Sequence, residues 1–481
     1  MSENNFGYEK MLEINPAHSP SDTELNQLAK FMTERRVRIP AGYTYLGQFI
    51  DHDISLDSAV VDRIPPWGTI PSSSISNKRT PFLTLDTIYG FELPSNPNDE
   101  PRRELLLAEN SKSLLKLGDT KATSIVNKVF VGKDLPRTPN SPMAQIVDSR
   151  NDENLAVAQT QVAFMRFHNA VVKYLNADDS TTTFETARKI VIQHYQWIIL
   201  KDYLPRIIKE SVLNDVLTKG NKFYFPNPKV PFIPLEFSVA AFRFGHSMIR
   251  NSYNWNRFFN DDQFPSAATL KQLATLTGQG RLGNNNQLPS EWSINWNWFY
   301  ETPDSPRGKF NFAETITTKI SSALGLLPND LGKFPTISDR STSLPAKDLY
   351  RARALSLPNG QEVARRISGT DERILKPEQI AHLLPANLKY NFSKETPLWF
   401  YMLAEAEIEE HGQTLGEVGS RIVAETIATL IKLSNPSILK GNFNPNPDFF
   451  PHEKKFGMAQ LLKFVKTMAG NQGFDELNPI G

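Results

Sequence analysis

Seven consecutive residues, Gly47-Gln48-Phe49-Ile50-Asp51-His52-Asp53, set one histidine between two aspartates, with a glutamine four positions before it. On a helix, Gln48 and His52 lie one above the other on the same face. Asp51 projects beside that face, and Asp53 turns roughly 100° away from His52. One short helix can therefore offer an imidazole and an amide to one site, and a carboxylate to a second site behind it. An imidazole of near-neutral pKa can take a proton from one atom and return it to another.

Two further stretches carry chemistry. His246 lies in Phe242-Arg243-Phe244-Gly245-His246-Ser247-Met248, an otherwise apolar segment, and the glycine before it lets something flat approach the backbone. Asp148-Ser149-Arg150-Asn151-Asp152-Glu153-Asn154 places Arg150 and Glu153 three residues apart. Read alone, His246 is a packed histidine and the second cluster is an acidic helix start. Read with His52, they suggest an axial iron ligand, a distal acid–base group and a cation aimed into one pocket, around a haem. The other histidines point elsewhere. His18, His382, His411 and His452 lie in polar settings and read as surface residues, and His168 and His194 read as packed ones.

Helices must position these groups. The apolar spacing of Leu155, Val157, Ala158, Val162, Phe164, Met165 and Phe167 predicts a long amphipathic helix running to Leu175. A second is expected over about 183–202, stopped at Asp202-Tyr203-Leu204-Pro205. A third, buried one is expected over Phe237–Arg250, and others over 24–36, 312–324, 344–355, 361–367, 377–382, 397–409, 415–432 and 458–468. Residues 55–79 and 251–310 read as loop, 79–90 as an extended loop, and 91–148 as loop and short helix.

Composition excludes several classes. The 481 residues hold 53 Lys+Arg against 52 Asp+Glu, so no net charge steers the chain toward nucleic acid or a membrane surface. There is no cysteine, which removes disulfides, thiolate nucleophiles, Cys-bound zinc and iron–sulfur clusters together. No apolar run is long enough for a membrane span, and the first residues lack a signal-peptide pattern. A cytoplasmic location is the default expectation, with signal-less secretion left open.

The three motifs, in this order and spacing, resemble the animal haem peroxidases of the peroxidase–cyclooxygenase superfamily, in their bacterial branch. Lys201-Asp202-Tyr203-Leu204-Pro205, Leu357-Pro358-Asn359-Gly360-Gln361 and Gly419-Ser420-Arg421-Ile422-Val423-Ala424-Glu425 add to the resemblance, which runs from about residue 28 to 475. It implies a mainly α, large single-domain helical haem peroxidase fold with long loops and little β structure. Residues 1–27 would be an arm, 28–475 the catalytic domain and 476–481 a tail.

The resemblance also implies roles. His246 is similar to the proximal iron ligand and His52 to the distal histidine. Arg150 resembles the distal arginine, and Gln48 the distal glutamine. Asp51 and Glu153 stand where mammalian relatives form ester bonds to haem b, and Asn154 where one of them has a sulfonium-linked methionine. Arg243 and Arg351 fall near haem propionates. Asp348 falls where an asparagine usually meets the proximal imidazole, a departure that strengthens the hydrogen bond to the ring. Calcium is implied behind the distal helix, with Asp53, Thr80, the Phe82 carbonyl, Thr84 and Asp86 as ligands. Oxygen donors at alternate loop positions suit calcium on physical grounds as well. Thr84 replaces a carboxylate usual in the family, which leaves two carboxylates, Asp53 and Asp86.

The activity implied is reduction of hydrogen peroxide with oxidation of a small reducing substrate, such as a phenol, bromide, iodide or thiocyanate, in a response to oxidative stress. Two alternatives stay open. A fatty-acid dioxygenase would need a radical-forming tyrosine three residues before His246, where Arg243 stands between Phe242 and Phe244 with no phenol nearby. A calcium-stabilised interaction protein predicts loss of His52, Arg150 or His246, and all three are present.

Overall fold

The first helix, α1 (Gly42–Ile54), has almost no polar face: Tyr43, Tyr45, Leu46, Phe49, Ile50 and Ile54 are all buried. A helix apolar nearly all round is a core helix. The computed structural model describes residues 21–23, 38–56, 69–71, 75–90, 106–125, 128–261, 267–303, 305–306, 308–325, 343–451 and 453–470. Arg38–Gly481 forms one compact unit. The helix expected over 24–36 lies outside the described residues.

A short helical turn, α2 (Asp86–Tyr89), ends the loop that follows α1. The longest helix is α3 (Leu155–Leu175), followed by α4 (Thr181–Ile198). Asn154 caps α3 by accepting from the Ala156 N–H at 2.9 Å, and Ser180 caps α4 in the same way through Thr183. Asn176 ends α3 in a left-handed conformation at φ 47°. Phe49 of α1 stacks on Phe164 of α3 at 5.3 Å, and Tyr195 of α4 stands edge-on to both. Each fully buried aromatic of this kind contributes about 1.5–3 kcal/mol, so this three-ring contact fixes α1 against the core. His168 and His194 are buried with both ring nitrogens engaged, by Tyr89 and Ser113 and by Ile190 and Asn446.

Later elements are α5 (Glu210–Lys219), α6 (Leu344–Ala354), α7 (Gly360–Ser368), α8 (Leu398–Glu409), α9 (Glu417–Leu433) and α10 (Met458–Ala469). α10 packs on α3, and α9 on α5 and α8. Glu405, buried on α8, accepts the Val418 N–H at 3.0 Å and so holds the first turn of α9. Burial, then Glu409, pushes its carboxyl up to about 8. A raised folded pKa gives stability that is full below the ordinary glutamate value and lost as pH rises through about 8. Glu405→Gln keeps the acceptor and cannot ionise. It should match the parent at pH 5 in urea unfolding and exceed it at pH 9; an equal loss at both pH values would contradict this.

Four expectations are corrected. The helix over Phe237–Arg250 is a π turn, Glu236–Ala240, followed by 3₁₀ turns over Ala241–Met248. The Arg243 Nε donates to the Ser238 carbonyl at 2.9 Å, capturing the oxygen that a continuous α-helix would offer to Phe242. Residues 312–321 are not helical; only Ser322–Gly325 turns. Their N–H groups go to neighbouring segments, as in Glu314 to Met248, Ile316 to Gly412 and Thr318 to Glu407. Asp202–Pro205 does not stop α4: the chain continues as a π turn, Ile199–Tyr203, into a helical turn Leu204–Ile207, where Pro205 sits in the first turn and needs no N–H partner. Finally, short strands were missed between 118 and 134: Gly118–Asp119 pairs with Lys133–Asp134, and Thr123–Ile125 with Lys128–Phe130. Strands this short carry too few alternating positions to register as a period of two.

Candidate active site

His52 projects from the C-terminal turn of α1 and is 6% exposed. Its Nδ1 lies 2.7 Å from the Asn151 Oδ1. The Asn151 amide nitrogen donates to Thr87 Oγ1 and Gln161 Oε1, both at 2.7 Å, which leaves its oxygen as the acceptor facing the imidazole. The Nδ1–H tautomer follows, with Nε2 the basic nitrogen. Burial, then the Arg150 charge, lowers His52 to about 4. The ring is therefore neutral across ordinary pH.

Arg150 is held from behind. Its Nε and Nη2 fork onto Asp148 at 3.1 and 2.7 Å, and Nη2 also donates to the carbonyls of His52 and Ser55 at 3.1 and 2.6 Å. It thus ties the carbonyl end of α1, where a cation is favoured. Nη1 has no hydrogen-bond partner among the described residues. Asp148 also pairs with Arg79 at 2.7 Å, with both side chains almost fully buried. Burial would raise the Asp148 carboxyl, but Arg150 and Arg79 outweigh it and hold it at about 2. Glu153 accepts from Gln279 at 2.8 Å, and Asp51 from Ser55 at 3.0 Å; Gln48 is half-buried on α1.

The second histidine lies on the 3₁₀ segment Ala241–Met248, which packs directly against α1. The His246 Nδ1 lies 2.9 Å from Asp348 Oδ2 on α6, and Arg243 donates to the other oxygen of the same carboxylate. Burial alone would raise Asp348; Arg243, His246 and Arg351 reverse this and hold it below its ordinary value. The imidazole thus donates to a charged acceptor, leaving Nε2 as its lone-pair nitrogen. A Cβ placed on Gly245 would meet nothing within 4 Å. Open space beside an imidazole with a free lone pair fits a flat, iron-bearing group. A phenol does come near, contrary to the reading around Arg243. The Tyr203 ring lies 6.5 Å from that of Phe242, and a Cβ on Gly47 would collide with its hydroxyl.

Behind α1, Asp53 is fully buried and accepts the N–H groups of Leu85 and Thr87, each at 3.1 Å. Leu85 is left-handed at φ 57°, which is rare outside glycine and turns these two amides toward Asp53. Asp86 accepts from the hydroxyls of Thr80 and Thr84. Burial and the charge of Asp86 push Asp53 well above the ordinary carboxylate range. Two buried, mutually repelling carboxylates with two hydroxyls alongside are a donor set that suits a hard divalent cation. Phe82 is half-buried on the same loop. The loop was read as extended throughout, whereas it closes in the turn α2, which brings Thr87 to Asp53.

Asn151, Arg79 and Tyr203 escaped the sequence reading as site residues. Asn151 and Tyr203 lie inside motifs and Arg79 opens the loop 79–90, but nothing in their spacing reveals a partner distant in the chain.

This architecture is that of the helical haem peroxidases. Peroxidase A from Dictyostelium discoideum superposes with a TM-score of 0.57, covering 96% of this chain and 92% of its own at 15% identity. Fatty acid alpha-dioxygenase from Oryza sativa superposes at 0.55, covering 91% and 74% at 17% identity. In sequence, residues 68–290 match the animal haem peroxidase family. Mouse thyroid peroxidase is 28% identical over 185 residues, 36% of this chain and 19% of its own length. A peroxidasin homolog of Caenorhabditis elegans is 24% identical over 335 residues, 66% of this chain and 22% of its own. The match thus spans about a fifth of the length of these relatives. No described helix is long and apolar enough to cross a membrane.

Proposed function

We propose that this chain is a haem-dependent peroxidase that reduces hydrogen peroxide and oxidises small organic donors or bromide, iodide and thiocyanate. The observation that carries this reading is the pairing of two differently committed imidazoles on elements packed together. His52 has Nδ1 bound to an amide, and His246 has Nδ1 bound to a carboxylate. Haem, when bound, supplies the redox-active iron at which peroxide is reduced. His246 would hold the iron through Nε2, with Arg243 and Arg351 at the propionates and Asp51 and Glu153 at the ring edge, where ester bonds can form. Asp348 makes the proximal imidazole a stronger donor by accepting its proton in a charge-assisted hydrogen bond. Neutral His52 takes the first proton from peroxide on Nε2 and returns it to the departing oxygen. Arg150 offers a permanent charge, with one nitrogen uncommitted, to the negative charge that develops there. Gln48, one turn from His52, would order a water or halide beside it.

Asp53, Thr80, the Phe82 carbonyl, Thr84 and Asp86 would hold calcium. Without the cation Asp53 retains a proton, so its contribution to stability is full at low pH and lost as pH rises through its raised folded value. A chelator should therefore lower the unfolding midpoint more at pH 9 than at pH 5, and calcium should restore it. A midpoint indifferent to both chelator and calcium would remove calcium from the account.

The test of the peroxidase reading is the optical spectrum of the haem-loaded chain before and after one equivalent of peroxide, followed by a phenol or bromide. A rapid spectral change reversed by the donor is expected. Fatty-acid oxygenation is the second reading, and Tyr203 is the observation in its favour. Oxygen uptake with palmitate, without any peroxide-dependent oxidation of donors, would establish it instead.

A further inference from the structure

Asn151 is completely buried, and every polar atom of its side chain is committed. The amide cannot turn over without cost. Reversed, it would set its oxygen against Gln161 Oε1, acceptor against acceptor, and its nitrogen against His52 Nδ1. Thr87, which receives the amide nitrogen, is itself fixed by the bond from its own N–H to Asp53. Asn151 is fixed at the other end by the bond from its N–H to the Asp148 carbonyl. The neighbouring Arg150 reaches the same turn of α1 through the His52 carbonyl. The ring of His52 is thus gripped at Nδ1 while its backbone is gripped by the residue next to Asn151.

We propose that Asn151 is a positioning residue for His52: its amide oxygen, oriented by Thr87 and Gln161, holds the imidazole in one tautomer and one rotation, so that Nε2 is always the nitrogen available to a ligand's proton. The proposal rests on the peroxidase reading only for what that proton transfer accomplishes. The orientation itself is a property of the chain. An amide suits the task because it accepts one hydrogen bond without becoming charged or taking the proton. A carboxylate at 151 would also accept it.

The test uses the full-length chain loaded with haem, as parent, Asn151→Ala, Asn151→Asp, His52→Ala and the double variant His52→Ala/Asn151→Ala. The readout is the association rate of cyanide, followed optically; hydrogen cyanide must surrender its proton to a base as it binds, so the rate reports the base and not turnover. Asn151→Ala should slow association by about 10- to 100-fold, as loss of a group that orients a ligand's partner does elsewhere. Asn151→Asp keeps an acceptor at Nδ1 but sets an oxygen against Gln161 Oε1, so its rate should fall between those of the parent and Asn151→Ala. In the His52→Ala background, removing Asn151 should change nothing further. Equal slowing in both backgrounds, or none in either, overturns the proposal. If Asn151→Ala does not fold, the nitrogen shifts of the ¹⁵N-histidine-labelled parent decide: Nδ1–H alone at His52 supports the proposal, and a mixture of tautomers defeats it. A failure of the functional reading looks different, because His52→Ala would then leave the cyanide rate untouched. In that event the nitrogen shifts of ¹⁵N-histidine-labelled chain still test the orientation: Nδ1–H in the parent and a mixture in Asn151→Ala support it, and the same mixture in both overturns it.

Discussion

His52→Ala should slow the reaction of the haem-loaded chain with hydrogen peroxide by about 10²–10⁴-fold, the usual weight of a general acid–base group. Haem content should stay as it is, because His246 is held by Asp348 and not by His52. The pH profile sharpens the expectation. Burial and Arg150 lower His52 to about 4, and only the neutral ring can accept the peroxide proton. The parent rate should therefore be flat from neutrality down to about pH 4 and fall below it, whereas an unperturbed histidine would lose activity from about 6.5. Stopped-flow rates of parent and variant between pH 3.5 and 8 check both points. A variant rate within a few-fold of the parent, or a parent profile that breaks near pH 6.5, would count against His52 as the base.

Asp148→Ala should be the most damaging single change to stability. Asp148 is shared by Arg79 and Arg150, and its pair with Arg79 is almost fully shielded from water. Removing one partner of a buried pair costs about 3–5 kcal/mol. The loss spreads to the site, since Arg150 would keep only its bonds to the His52 and Ser55 carbonyls. In the parent, the two arginines hold Asp148 at about 2, so this stabilisation is complete above the ordinary aspartate value and disappears as pH falls through about 2. Urea unfolding at pH 7 should show the full cost, with Asp148→Asn intermediate because it keeps an acceptor. A cost under about 1 kcal/mol, the range of an exposed ion pair, would mean that the pair is not buried in solution.

What the sequence discloses divides along a physical line. Local patterns are legible: the apolar spacing from Leu155 to Leu175 becomes α3 over those residues, and the acidic setting of His52 lies on a helix. The mainly α architecture follows from such patterns and from the resemblance carried by the three motifs. Features decided by distant partners are not legible. Arg243 captures the Ser238 carbonyl and breaks the expected helix around His246, while N–H groups within 312–321 go to segments distant in sequence and no helix forms there. Asn151 lies within a motif quoted for its neighbours, yet its contact with His52 spans 99 positions. Tyr203 closes the π turn after α4 and lies against Phe242 and Gly47, so searching only around Arg243 overlooks it.

The central claim is that His246 would hold the iron of a bound haem. Its most direct test is haem binding by the parent and by His246→Gly, with and without added imidazole, followed in the ferric and ferrous–carbonyl optical spectra. The account predicts stoichiometric histidine-ligated haem in the parent, loss of that spectrum in the variant and its return when imidazole fills the space. A His246→Gly chain that binds haem with the parent spectrum would place the iron on another residue and contradict the account.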